Sequence, residues 1–283
     1  MIGNKYQIES IVSKGCYGFV YKGFNVKNRE NVAIKIEINS KSLQHETKIL
    51  NYLYSNKVRK IPAIYWYGNY NEHPCLVMTY YELNLLDYIK NLHTESTFSL
   101  QKINQMMYKM VNLIMEIHNH YVVHRDLKPA NFMIKHDELY LIDFGFASFY
   151  IHSDNTHIQN EKTEHIIGSP KYISINIFRG NVYSRRDDLI SLVHIYYMMV
   201  LNDSPWENNV NKVYMSEYGG KSEYEETNIH HPKNSIRLKN RDYDIMMNYI
   251  GNNESSLNYL KYVYGLEFDE KPRYSYLSNL FVE

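Results

Sequence analysis

Apolar and polar positions alternate in short runs through the N-terminal part of the chain, which is the period of half-buried strands. Residues 6–12 and 19–24 carry β-branched and aromatic side chains on either side of a turn at Gly15 and Gly18. A third run, 31–38, sets Val32, Ile34, Ile36 and Ile38 on one face. The period then lengthens: Leu43, Glu46, Ile49, Leu50 and Leu53 follow helical spacing over 43–54. Pro62 interrupts it, and 64–70 and 74–80 read as two further strands.

Beyond Glu82 the helical period takes over. Ser99 is placed to cap a helix over 100–118, whose apolar stripe is Ile103, Met106, Met107, Met110, Leu113, Ile114 and Ile117. Residues 121–143 alternate short strands and loops, and 144–185 is rich in loops. Residues 188–201 are mostly apolar, which predicts a buried helix. Residues 207–235, rich in Asn, Glu and Lys, give no periodic signal, and 257–281 returns to helical spacing. No internal repeat is visible. The expected class is α+β, a small β-rich part with one helix followed by a larger, mainly helical part.

Composition excludes more than it identifies. The 283 residues suit one large domain or two small lobes, and 44% hydrophobic content argues against disorder. Lys+Arg and Asp+Glu are both 31, so no basic field points to nucleic acid or an anionic membrane. The longest fully apolar run, 195–201, is far too short to span a bilayer. Residues 1–9 have no apolar signal core, and Ile2 stands where myristoylation would need glycine. Cys16 and Cys75 form no paired motif, so a reducing compartment is expected, cytoplasm or nucleus. His118, His120 and His124 lie close together, but no cysteine or carboxylate set completes a tetrahedral metal site. Alanine occurs only at 33, 63, 130 and 147, while Asn, Ile, Tyr and Lys abound. That bias fits an AT-rich genome, a protist or a large DNA virus, and in the viral case the host cytoplasm. It also explains the 29 tyrosines better than a stacking surface for nucleic acid does.

The candidate chemistry starts at Val32-Ala33-Ile34-Lys35. Read alone, Lys35 is an edge lysine with its ammonium in water. Two neighbours change the reading: a Gly-rich turn upstream, and Glu46 on the following helix, where it can pair with the lysine. Such a lysine faces the α- and β-phosphates of ATP. The turn, within Val12-Ser13-Lys14-Gly15-Cys16-Tyr17-Gly18-Phe19-Val20, departs from G-x-G-x-x-G-x-V by having Ser13 at the first glycine position. Gly15 and Gly18 still let backbone approach phosphate oxygens, so the effect of Ser13 on nucleotide affinity is expected to be modest.

The strongest segment is His124-Arg125-Asp126-Leu127-Lys128-Pro129-Ala130-Asn131. There Asp126 is the candidate base for an attacking hydroxyl, Lys128 balances charge on the moving γ-phosphoryl, and Asn131 is a candidate Mg²⁺ ligand. Asp143-Phe144-Gly145 follows an apolar run and supplies a second Mg²⁺ ligand, Asp143. A lone Asp-Phe-Gly is a common turn; its spacing from Asn131 and the strand before it give it weight.

These residues resemble the eukaryotic protein kinase fold and, more narrowly, the casein kinase I family. The narrowing rests on Gly168-Ser169-Pro170-Lys171-Tyr172-Ile173-Ser174-Ile175-Asn176 in place of the usual Ala-Pro-Glu segment. It rests further on Ser184-Arg185-Arg186-Asp187-Asp188-Leu189, on Ser204-Pro205-Trp206, and on the 268–277 stretch around Lys271-Pro272-Arg273. The resemblance covers nearly the whole chain and is weakest over 207–250. It implies one two-lobed kinase domain over 1–283: N-lobe 1–78, hinge 79–82, C-lobe 83–283. It further implies a Ser/Thr kinase using ATP and Mg²⁺, active without activation-loop phosphorylation, monomeric, and acting on protein substrates that include acidic ones.

Carried onto this sequence, the resemblance makes Met78 the guard of the adenine pocket and Tyr81 the hinge residue bonding adenine. It puts Asp87 near the ribose, has Ala33, Met133 and Ile142 sandwich the base, and makes Asp188 the anchor of the catalytic loop. Lys171 matches one basic residue of the family's anion site, but the lysine-rich segment after Trp206 is replaced by one beginning Glu207-Asn208-Asn209, so phosphate priming is expected to matter less. The sequence ends at Glu283, so no autoinhibitory tail is expected. A pseudokinase gains a little from Ser13 and loses most of its force to the intact set Lys35, Glu46, Asp126, Asn131 and Asp143. Lys128 and the family segments count against a small-molecule kinase.

Overall fold

Packing begins at the second residue. Ile2 is buried with Tyr6, Val32, Ile34, Ile36, Cys75 and Val77, and its amide donates to the Tyr6 carbonyl at 2.8 Å. The computed structural model describes residues 1–15, 18–38, 42–94, 99–250 and 253–282. Its first elements are β1 (Tyr6–Gly15), β2 (Gly18–Asn25), β3 (Asn31–Glu37), α1 (Ser42–Ser55), β4 (Ile64–Tyr70) and β5 (His73–Thr79). The strands form one antiparallel sheet in the order β1-β2-β3-β5-β4. The alternation in β3 puts Val32, Ile34 and Ile36 into the core and Ala33 and Lys35 on the opposite face. Ile38 does not share that core face. The strand ends at Glu37 and Ile38 is exposed, because the buried Glu37 carboxylate accepts the Ser42 and Leu43 amides at 3.0 and 3.2 Å and caps α1.

The chain continues through β6 (Leu83–Asn84), α2 (Leu85–Thr94), α3 (Leu100–Asn119), β7 (Val122–Val123), β8 (Phe132–Lys135), β9 (Glu138–Leu141) and β10 (Ser148–Phe149). It ends with α4 (Ile175–Phe178), α5 (Arg185–Leu201), α6 (Val210–Tyr218), α7 (Pro232–Asn240), α8 (Tyr243–Ile250), α9 (Glu254–Tyr264) and α10 (Tyr274–Asn279). The apolar stripe expected for α3 is buried along its length. Ser99 caps it only through its backbone carbonyl, which accepts the Ile103 amide; its side chain makes no cap bond. The helical run expected over 257–281 is two helices: α9 stops at its Gly265 cap, and α10 starts only after Pro272.

Two compact units result: Met1–Leu85 with Asn131–Ala147, and Leu86–Ala130 with Ser148–Glu283. The first holds the five-stranded sheet, α1 and the small sheet β6-β8-β9; the second is helical, with α5 packed against α3 and α9. The α+β expectation is met. α5 is buried on nearly every side, as its composition predicted. Its N-terminal turn is tied down by Asp187, which accepts the Ser184 amide at 2.8 Å, the Ser174 hydroxyl at 2.5 Å and the Asn176 amide group at 3.1 Å. Among the described residues no helix is long and apolar enough to cross a membrane.

His194 on α5 is fully buried against Trp206, ring centroids 5.1 Å apart, and its Nδ1–H donates to the Tyr172 carbonyl at 2.7 Å. Burial, with Arg241 nearby, lowers its pKa from 6.5 to about 3. Below pH 6.5 the unfolded chain therefore takes up a proton that the folded chain refuses, so stability falls as pH drops from 6.5 towards 3. The slope from this one group approaches ~1.4 kcal/mol per pH unit. Urea unfolding at pH 7 and pH 5 is expected to show a larger loss of stability in the wild type than in His194→Gln; equal losses would exclude His194 as a source.

Candidate active site

Lys35 emerges on the face of β3 opposite the core, and its ammonium meets two carboxylates. Nζ donates to Glu46 Oε2 at 2.7 Å and to Asp143 Oδ1 at 2.9 Å. Glu46 reaches it because the helical spacing that buries Leu43, Ile49 and Leu50 also turns this acid inward, fully out of solvent. Asp143 follows β9 with φ 66, a left-handed conformation that aspartate tolerates better than most residues and that clusters at functional sites. Burial pulls the Lys35 pKa down, but the charges of Glu46 and Asp143 and their hydrogen bonds outweigh it and hold the ammonium above the ordinary lysine range. For Glu46, burial pushes the carboxyl up and Lys35 pulls it down. At 2.7 Å from a firmly protonated ammonium, the carboxylate is one half of an ion pair.

Asn131 and Asp143 belong to this same unit. Asn131 is buried at the start of β8, and its carbonyl accepts the Ile142 amide at 2.9 Å, which ties the residue before Asp143 to Asn131. Amide and carboxylate oxygens are hard donors suited to Mg²⁺, which is commonly held by one or two carboxylates while substrate phosphates complete its shell. Asp143 keeps a side chain 39% exposed while bound to Lys35 through one oxygen. The donor chemistry fits the ion.

Most of the other candidates belong to this same unit. The register pairs Ala33 with Met78 and Val20 with Lys35. Ala33, Met78, Tyr81 and Met133 are buried, and Tyr81 packs on Tyr140 with ring centroids 4.8 Å apart. Ile142 is half-buried directly before Asp143. Val12, Ser13, Lys14 and Gly15 are exposed, Phe19 is half-buried beneath the Lys14 ammonium, and Cys16 and Tyr17 lie outside the described residues. Gly18 has a structural reason to be glycine: a Cβ there would stand 2.0 Å from the Ile36 carbonyl oxygen. Asp87, on α2, forms an exposed ion pair with Lys90 at 3.1 Å.

In the second unit the catalytic-loop residues form their own cluster. Asp126 is buried; its Oδ2 accepts from Lys128 Nζ at 2.7 Å and its Oδ1 accepts the Ser169 amide at 2.8 Å. Lys128 Nζ also donates to the Ser169 hydroxyl at 3.2 Å. The loop's backbone hangs from Asp188, whose carboxylate accepts the His124 amide at 2.7 Å and the Arg125 amide at 3.0 Å. His118 Nε2 donates to the same carboxylate at 3.0 Å, while its Nδ1 meets the Tyr274 hydroxyl at 2.7 Å. Burial raises the Asp188 pKa, but the bond to His118, both histidine rings and the His124 amide hold it below the usual carboxylate range. Gly168 sits at φ 92, where a Cβ would stand 2.3 Å from the Arg125 carbonyl oxygen. Sequence reasoning assigned no site role to His118, Tyr274 or Ser169. His118 in fact serves a carboxylate rather than a metal, and among the described residues no group of three or more His, Cys, Asp or Glu gathers for one.

Residues 6–270 match the family described as Protein kinase domain. The chain belongs to that family. It is also 28% identical over 291 residues to Casein kinase I homolog 2 of Schizosaccharomyces pombe, across 99% of this chain and 62% of that protein. The expected resemblance to casein kinase I is borne out, and the chain spans about 62% of the length of that relative. In this kinase domain Glu46→Gln is expected to lower kcat/KM about 10–100-fold, the worth of one hydrogen bond to a charged group. Steady-state kinetics with varied ATP check it, and an unchanged kcat/KM would separate Glu46 from the function of Lys35.

Proposed function

We propose that the chain is a casein kinase I-like Ser/Thr protein kinase, a single domain acting as a monomer, that transfers the γ-phosphoryl group of ATP to Ser/Thr hydroxyls of protein substrates. The observation that carries the reading is the Asp126–Lys128 pair at 2.7 Å, a carboxylate to receive a hydroxyl proton beside an ammonium to face phosphoryl charge. Phosphoryl transfer leaves little covalent work to a protein; positioning and charge stabilisation supply most of the acceleration. Asp126 orients the acceptor hydroxyl and takes its proton. Lys128 stabilises charge on the transferring group. Lys35, held by Glu46, neutralises the α- and β-phosphates. Asn131 and Asp143 would hold Mg²⁺, which when bound offsets charge on the β- and γ-phosphates.

Activity without activation-loop phosphorylation is part of this reading. Its support is that Ser169 and Lys128 already hold Asp126 in the unmodified chain. Acidic proteins are the favoured substrate class, with Lys171 a basic contact for them. No nucleic-acid or membrane partner is proposed, and the cytoplasm or nucleus is the proposed location.

The purified protein is to be incubated with labelled ATP, Mg²⁺ and casein beside Asp126→Asn. The variant is expected to lose about 10²–10⁴-fold in rate, and incorporation no greater in the wild type than in the variant would overturn the enzymatic reading in favour of a pseudokinase. Prior treatment of the enzyme with a phosphatase is expected to leave its rate unchanged; a fall would show that activation needs phosphate, and a rise an inhibitory phosphosite.

A further inference from the structure

Arg241, directly after α7, is fully buried. An ionised guanidinium in the interior costs several kcal/mol unless its charge and donors are met. Its carboxylate partner, Glu207 Oε2, stands at 3.3 Å, and Glu207 is engaged more closely by Arg237 at 2.7 Å. Burial lowers the Arg241 pKa to about 10 in spite of Glu207. Among the described residues its Nε has no partner. The short bonds go to backbone: Nη2 donates to the Pro170 carbonyl at 2.8 Å and to the Lys171 carbonyl at 2.9 Å. Trp206 Nε1–H reinforces the second at 2.8 Å, and the Phe178 ring lies 5.0 Å beneath the guanidinium.

Pro170 and Lys171 directly follow Ser169, the residue whose amide donates to Asp126 and whose hydroxyl accepts from Lys128. The turn is closed by the Tyr172 amide on the Ser169 carbonyl at 2.9 Å. Peptide units are rigid planes, so gripping two successive carbonyls fixes the orientation of the short turn that presents the Ser169 amide. Gly168 confines the other side of Ser169 at φ 92. Loosening Arg241 therefore weakens the Ser169 amide bond, one of those that orient the Asp126 carboxylate.

We propose that Arg241 is a positioning residue for phosphoryl transfer: it holds the Pro170 and Lys171 carbonyls so that the Ser169 amide stays on Asp126 and aims that carboxylate at the acceptor hydroxyl. The proposal rests on the kinase reading above and extends it to a residue outside the sequence motifs. A brace that served only stability would act differently. In Arg241→Gln a buried charge is removed but Glu207 keeps Arg237 at 2.7 Å, so no carboxylate is left buried and unpaired.

The test compares wild type, Arg241→Gln and Arg241→Lys, with Asp126→Asn as background, using casein as acceptor. In Arg241→Gln kcat is expected to fall about 10–100-fold, the scale of a small misplacement near reacting atoms. Arg241→Lys, which keeps donors, is expected to retain more. KM for ATP is expected to stay within about twofold of wild type, thermal midpoints to stay close, and hydrogen exchange at the Ser169 amide to quicken. Wild-type kcat in a folded Arg241→Gln overturns the proposal, as does a loss explained by a raised KM for ATP. Failure of both variants to fold assigns Arg241 to stability alone and also overturns it. A wild type no more active than Asp126→Asn sinks the kinase reading instead, and the Ser169 exchange rates then still decide whether Arg241 holds the turn.

Discussion

A buried carboxylate with three N–H donors organises the catalytic loop. Asp188 lies in the first turn of α5, where the helix's positive end favours an acid. It spends that acid on the His124 and Arg125 amides and on His118. Arg125 is thereby held at φ 68, a strained conformation for a residue with a long side chain, and the chain beyond it carries Asp126. Without the Asp188 anchor, the buried His124 amide would lose its acceptor, at about 1–3 kcal/mol, and the half-buried Arg125 amide would lose its own. Asp187, its neighbour, fixes the N-terminus of the same helix, so two adjacent acids divide loop anchoring from helix anchoring.

The two candidate clusters use charge in opposite ways. In the sheet-bearing unit an ammonium is placed between two carboxylates, one fully buried and one partly exposed. The buried partner, Glu46, sets where Lys35 points; the other partner, Asp143, keeps its side chain partly exposed. In the helical unit a carboxylate is placed between an ammonium and a backbone amide. That fixes the orientation of the Asp126 carboxylate. Each arrangement keeps its charges hydrogen-bonded in low dielectric, where an unpaired charge would be expensive.

Much of this was legible in the sequence because local chemistry dictated it. The 2-residue period of β3 puts Lys35 opposite Ile34 and Ile36, and the helical spacing of α1 turns Glu46 inward; neither needs knowledge of the rest of the chain. Ile38 was misread because periodicity does not reveal a strand end, and here a buried acid, Glu37, ends it by capping the next helix. The helices α6 and α7 gave no periodic signal because their burial is partly polar: Arg237 bridges Glu207 and Glu226, and Asn234 bonds the Glu226 and Asn228 carbonyls. Arg241 was invisible for a related reason. Its partners are backbone carbonyls distant in sequence, and no side-chain pattern reports a carbonyl.

The departures from the family's glycine positions follow from backbone geometry rather than from loss of function. Ser13 lies within β1, paired with Val20 and exposed, and it is not among the residues at positive φ. A side chain is tolerated there because the backbone is in a conformation that any residue adopts. Gly18 and Gly168 are different, since a Cβ would strike the Ile36 or the Arg125 carbonyl oxygen. Val193 is buried inside α5 without breaking the helix. The chain has thus kept glycine where a neighbouring backbone leaves no room and let it go where only flexibility was at stake. A sequence drifting under compositional bias while its backbone geometry remained under constraint would carry this pattern.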